Sequence, residues 1–144
     1  MIRPMRSQDL TDVVRLETSL YAYPWTLGNF KDSLSAGYSC WAMMEAEHLI
    51  GHAVMMMGVE ETHLLNLSVR SDRQRQGLGG RLMAHLIEVS RACEARKMLL
   101  EVRRSNETAR EFYRVKGFDE IGERPGYYPV NNGREDAIVM EKPL

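Results

Sequence analysis

The sequence lacks the features that would tie it to a membrane, a metal or a nucleic-acid duplex. No apolar run approaches the roughly 20 residues a helix needs to cross a bilayer, and the opening MIRPMRSQDL has no apolar stretch of the secretion-signal kind. A cytoplasmic setting without membrane attachment is therefore expected. Only two cysteines are present, Cys40 and Cys93, and they form no CxxC pair. No disulfide is expected in a reducing compartment, and both thiols read as core residues. The four histidines, His48, His52, His63 and His85, form neither HExxH nor a cluster, so no metal is expected and they read as structural or surface residues. A net charge of −1 argues against general nucleic-acid binding. Repeats, low-complexity tracts and linkers are also missing, so residues 1–144 read as a single domain, long enough to bury a substantial core.

Within that neutral whole, the charge is locally uneven. Between Arg70 and Arg81 stand four arginines and one acid, a local balance of +3. A patch of that size suits one small polyanion better than a duplex. It surrounds RQRQGLGG, residues 73–80. A dinucleotide fingerprint would require a glycine at position 82, which is Leu82, and a phosphate loop of the Walker type would require Gly-Lys-Ser/Thr. Both nucleotide readings fail. An anion cradle remains open, because small residues ahead of a helix expose backbone N–H groups and the positive end of the helix dipole. A glycine-rich strand-to-helix turn with solvated arginines would read the same way.

The order of elements reads β α α β β β α β α β β. Leu10, Val13, Val14 and Leu20 fall at helical spacing after Ser7, a candidate cap. A second helix spans Thr26 to Leu34 and stops at Gly37. Residues 38–45 and 49–57 read as a hairpin and 62–70 as a third strand. Leu78, Leu82, Met83, Leu86, Val89 and Cys93 trace a helix to about Arg96. Residues 97–102 form a short strand, and a helix capped by Asn106 runs to Gly117. Phe118–Ile121 and Ala137–Met140 are final strands, with GYYPVNNG between them read as a loop. The fold class is α/β of the mixed α+β kind. The ten methionines read as core filling.

Three residues in the second half carry candidate chemistry. Glu101 is a carboxylate in the otherwise apolar strand KMLLEVR. It is either a strand-end residue that reaches water or pairs with Arg103, or a placed base. Tyr113, beside Phe112, is either a core aromatic or a proton donor with an ordinary pKa of about 10. Asn106 is a cap with a second amide group to spare.

Gln74-Arg75-Gln76-Gly77-Leu78-Gly79 resembles the Q/R-x-x-G-x-G/A signature of the GNAT superfamily of N-acetyltransferases. The element order is similar along nearly the whole chain. The resemblance implies a mostly antiparallel mixed sheet of about six or seven strands flanked by about four helices. It implies acetyl-CoA as co-substrate, held at its pyrophosphate by backbone amides of Arg75, Gln76, Gly77, Leu78, Gly79 and Gly80. Its pantetheine arm would lie along Leu67, Ser68 and Val69. LLEVRRSNETAREFYRVKGF, YPW at 23–25 and RPGYYPVNNGREDAIVM at 124–140 further resemble the RimI-type branch, the ribosomal-protein-alanine N-acetyltransferases. That branch implies Glu101 as general base, Asn106 as an acetyl-CoA contact and Tyr113 as general acid, with the N-terminal peptide of a small-subunit ribosomal protein as acceptor. Lysine side chains, polyamines, small amines and a non-catalytic acetyl-CoA-binding role stay open as alternatives. Gly80 departs from the pattern, since many members carry arginine or lysine there. Glu60, Glu61, Glu135 and Asp136 are candidate attractors of a basic peptide. Oligomeric state is not legible.

Overall fold

A computed structural model describes residues 1–144. Helix α1 (Leu10–Leu20) buries Leu10, Val13 and Leu16, as the spacing predicts. Ser7 is not its cap. It lies in a 3₁₀ turn, Ser7–Asp9, and the Asp9 carboxylate does the anchoring. Asp9 accepts from the Arg6 backbone N–H at 2.7 Å and takes both Arg3 guanidinium nitrogens at 2.8 Å. A charged acceptor reaching two donors prevails over a lone hydroxyl. Helix α2 (Leu27–Ser35) starts one residue later than the sequence suggests, because Thr26 is its cap: Thr26 Oγ1 accepts from Asn29 N–H, and Asn29 Oδ1 accepts from Thr26 N–H. Gly37, at φ +77°, follows its end.

Seven strands form one sheet: β1 (Ile2–Pro4), β2 (Ser39–Glu45), β3 (His48–Met57), β4 (Glu61–Val69), β5 (Lys97–Arg103), β6 (Asp119–Val130) and β7 (Gly133–Pro143). Their order is β1-β2-β3-β4-β5-β7-β6. Every pairing is antiparallel except β4–β5, which are parallel and joined through helix α3 (Leu78–Ala92). Helix α4 (Glu107–Val115) connects β5 to β6. Asn106 caps it as expected, accepting from Ala109 N–H at 3.1 Å.

The helices cover the sheet on both faces, creating two cores. On one face α1 and α2 set Leu10, Val13 and Phe30 against Cys40, Ala42 and Val54. On the other, α3 sets Leu82, Met83 and Leu86 against Met98, Leu100 and Met140, with α4 packed alongside. Met43, Met55, Met83, Met98 and Met140 are all fully buried, so methionine does fill the core. Cys93 corrects an expectation: it is exposed, while Cys40 is buried. Helix α3 stops at Ala92, and Glu94 turns left-handed at φ +63°, so the register that would have buried residue 93 is lost. No helix is long and apolar enough to cross a membrane.

The largest departure is the stretch read as the loop GYYPVNNG. It belongs to a long hairpin, in which β6 runs to Val130 and the turn is only Asn131–Asn132. Two register shifts, between Glu120 and Gly122 and between Arg124 and Tyr128, let the strand absorb Pro125 and Gly126 without leaving the ladder. Turn-forming residues are tolerated where bulges relax the pairing.

Candidate active site

The parallel pairing of β4 and β5 is short. Glu61–Leu64 pair with Lys97–Leu100, and no further. Against β3, Met55 pairs with Leu64 and Val54 with Asn66, so Leu65 is an extra residue, a bulge that bends β4 away from β5. Beyond it the strands splay, and the backbone groups of the two strands that face the gap do not meet. A cleft of about 420 Å³ opens there, lined among others by Tyr21, Asn66, Leu67, Glu101, Tyr113 and Tyr128.

Strand alternation decides what enters the cleft from β5. Leu100 and Val102 are buried toward α3 and α4, which turns Glu101 and Arg103 to the opposite face. Tyr113 comes from α4, packed edge-on against Phe112 (5.3 Å between centroids) and Phe118 (5.6 Å). Carboxylate and phenol thus approach the gap from opposite sides of the sheet. Burial pushes the Tyr113 hydroxyl well above the usual phenol range, so it holds its proton. Tyr128 is pushed up to about 12 by burial, with the nearby Glu101 charge adding to it. The Glu101 side chain is 22% exposed and its partner is Arg124, at 3.3 Å, not Arg103.

Arg103 instead joins the cleft's two rims. Its guanidinium lies 4.6 Å from the Tyr128 ring centroid and 5.1 Å from that of Tyr23. It donates to the Pro129 carbonyl at 2.8 Å and pairs with Glu135 at 3.2 Å. Tyr23 Oη donates to Asn131 Oδ1 at 2.8 Å, closing the same contact between the α1–α2 loop and the β6–β7 hairpin.

Beneath the α1–α2 loop is a polar cluster that sequence reading missed. Glu17, on α1, is 2% exposed. Its carboxylate accepts from Asn66 Nδ2 (2.9 Å), Ser68 Oγ (3.1 Å) and Trp25 N–H (3.3 Å). Burial raises its pKa, and these three donors oppose the rise. His52 is fully buried with neither ring nitrogen hydrogen-bonded. Its nearest charged neighbour is Glu17 Oε1, at 3.5 Å, and burial drives its pKa down to about 4. Ser68, expected along the pantetheine arm, therefore has its side chain engaged by Glu17 and by Tyr21 Oη at 2.9 Å, leaving only its backbone for other contacts. The clue was present in the sequence: Glu17 stands at helical spacing from Leu10 and Val13, a carboxylate on the apolar stripe.

The glycine loop follows β4. Gln74 Nε2 donates to Val69 O at 2.9 Å, stapling the loop to the end of the strand. Arg75 (φ +62°) and Gly77 (φ +80°) are left-handed, and the chain enters α3 at Leu78. No backbone or side-chain acceptor in the protein takes the N–H groups of residues 75–80, which lead into the N-terminus of α3. Such a run of free donors is what an anionic group requires, and it fits the pyrophosphate of coenzyme A. Leu67 lines the cleft beside it, and Asn106 keeps its amide nitrogen free while capping α4. Of the arginines, Arg70 is held by Asp72 and Arg73 by Glu45.

The acidic residues divide. Glu60 and Glu61 sit at the other end of β4, beside Arg96 and Lys97, away from the cleft. Glu135 lines the cleft but is committed to Arg103 and the Ser105 N–H, and Asp136 accepts from Gly126 N–H.

A parallel strand pair splayed at a bulge, with an amide-rich loop leading into the next helix, offers a cleft for one ligand and a cradle for its anionic end. The family model "Acetyltransferase (GNAT) family" matches residues 7–118. The chain belongs to that family, whose members use acetyl-CoA, and it is an acyltransferase of the N-acetyltransferase type. It is 34% identical over 143 residues to the [ribosomal protein bS18]-alanine N-acetyltransferase of Escherichia coli, covering 99% of this chain and 97% of that one. The Salmonella typhimurium protein of the same name is 32% identical over 140 residues, covering 97% and 95%. The crystal structure of the Escherichia coli ribosomal-protein-alanine N-acetyltransferase superposes with a TM-score of 0.92 at 33% identity, covering 100% of this chain and 93% of that one.

Proposed function

We propose that this chain, acting as one catalytic unit across residues 1–144 in the cytoplasm, acetylates the N-terminal alanine of ribosomal protein bS18. Its relatives of that name match it over nearly their whole length. The observation that carries the reading is the position of Glu101 and Tyr113 on opposite sides of the β4–β5 gap.

Acetyl-CoA, when bound, supplies an acyl group activated as a thioester. Glu101, on the acceptor face, takes a proton from the incoming amine. An α-amine has a pKa of about 7.7–8.0 against about 10.4 for lysine, so a carboxylate deprotonates it with little penalty near neutrality. Backbone N–H near Leu67 steadies the carbonyl oxygen as charge builds there. The amine–carbon bond forms, the carbon–sulfur bond breaks, and Tyr113 delivers its proton to the leaving sulfur. Burial keeps the Tyr113 phenol protonated, so its proton is at hand on the coenzyme side of the gap when the sulfur departs. Asn106 contributes its free amide to the coenzyme side. Tyr21, Tyr23 and Tyr128 form the walls through which the peptide enters.

A thiol-release assay tests this. A basic peptide beginning with alanine should react faster than the same peptide with a blocked N-terminus and an internal lysine. Equal rates would defeat the α-amine assignment.

A further inference from the structure

Gly80 is the third residue of α3 and stands where a cationic side chain would reach a phosphate at the helix N-terminus. A Cβ built on it would come 2.8 Å from Lys116 Nζ and 3.3 Å from Lys116 Cε. The space beside the backbone at position 80 is thus filled by an ammonium from another element. Lys116 lies just past the end of α4, half-buried, with its ammonium 5.7 Å from the Phe112 ring centroid. The neighbouring Gly79 brings the two helices equally close, since a Cβ there would sit 3.4 Å from Phe112 Cε1.

What Lys116 lacks is a partner. No carboxylate lies within ion-pairing distance, although thirteen of the chain's arginines, lysines and histidines do find one. Its ammonium instead stands beside Gly80, in the run of residues 75–80 whose N–H groups are free. A half-buried cation set against free donors and a helix-dipole positive end is unfavourable in isolation. It becomes favourable when a di-anion occupies the cradle. Among the other local cations, Arg75 is exposed on the left-handed turn of the loop itself and is not set against position 80. Arg70 and Arg73 are paired, and Arg81 lies among Met1, Met44 and Glu45.

We propose that Lys116, reaching over Gly80, supplies the positive charge that position 80 does not, and binds the pyrophosphate of coenzyme A held by the amides of residues 75–80. This rests on the coenzyme reading of that loop. The pairing is reciprocal: a side chain at 80 would displace the ammonium, and the ammonium occupies its space because residue 80 is glycine.

Calorimetric titration of the purified protein with coenzyme A and with 3′-dephospho-coenzyme A tests it, at low and high salt. Lys116→Ala should weaken both ligands by roughly 5- to 10-fold at low salt, the scale of one charge-assisted contact to a phosphate. The difference should shrink at high salt. Lys116→Ala combined with Gly80→Arg should recover most of the affinity, which a purely structural role for Lys116 would not allow. Equal affinity of parent and Lys116→Ala overturns the proposal. So does a loss seen with coenzyme A but absent with the dephospho form, which would move the charge to the 3′-phosphate. A parent that binds neither ligand overturns the coenzyme reading itself, and the role of Lys116 with it.

Discussion

Replacing Glu17 by alanine and by glutamine should have sharply different outcomes. The carboxylate holds three donors, but they are not equally dependent on it. Ser68 Oγ keeps a second partner, Tyr21 Oη at 2.9 Å, whereas Asn66 Nδ2 and Trp25 N–H have no other acceptor in the protein. Alanine strands those two, at about 1–2 kcal/mol each for a half-buried donor, giving a loss of roughly 2–4 kcal/mol. For a domain of this size that lowers Tm by about 6–15 °C. Glutamine keeps one acceptor oxygen for Asn66 and Trp25 and turns an NH₂ toward the Ser68 hydroxyl, so it should cost under about 1 kcal/mol. The pH dependence separates them again. The folded pKa of Glu17 is raised, so its protonated form favours the fold. Its stabilising share is full below the unfolded pKa of 4.5 and is lost as pH rises through the folded value. Glutamine abolishes that loss. Chemical unfolding at several pH values reads both effects, and the acceptor KM should rise with alanine because Trp25 and the loop carrying Tyr21 and Tyr23 form one cleft wall. A loss under about 1 kcal/mol for alanine, or equal losses for the two variants, would refute the reasoning.

Other outcomes follow from the same geometry. Glu101→Gln should lower kcat by roughly 10²–10⁴ while the coenzyme dissociation constant stays within twofold of the parent's, measured by steady-state kinetics beside calorimetry. Tyr113→Phe should do the same and slow release of the thiol in a single turnover. His52 has a folded pKa near 4 against 6.5, so its share of stability is present above pH 6.5 and lost as pH falls toward 4, at about 1.4 kcal/mol per pH unit. His52→Phe should flatten that part of the pH–stability profile. Gly77→Ala forces a Cβ into a backbone at φ +80° with nothing within 4 Å of it, so the strain alone, about 1 kcal/mol, should appear in thermal unfolding.

Much of the fold was legible because its signals are local. Thr26 and Asn106 cap through bonds spanning three residues, and Gly37 ends its helix through its own φ. The hydrophobic period of α3 located its buried face. Where a longer-range partner intervened, local reading failed. Asp9 displaced Ser7 because Arg3 on β1 could reach it, and the turn-rich GYYPVNNG stretch stayed in the sheet because β7 runs alongside it. Glu17 was passed over for a similar reason: on the helix it is an irregularity, and only β4 supplies the donors that make it a hub.

By itself, the amino-acid order determined the Asn106 cap, the faces of the helices, the amide-rich loop at residues 75–80 and the three side chains nominated for chemistry. These depend on contacts a few residues apart, which propensity and spacing record. Only the tertiary structure decided that a bulge at Leu65 parts β4 from β5. It alone set Glu101 and Tyr113 on opposite sides of that gap, tied Tyr23 to Asn131 across it, and laid Lys116 over Gly80. Those juxtapositions join residues 12 to 108 positions apart in the chain, and register and packing, which no local pattern encodes, bring them together.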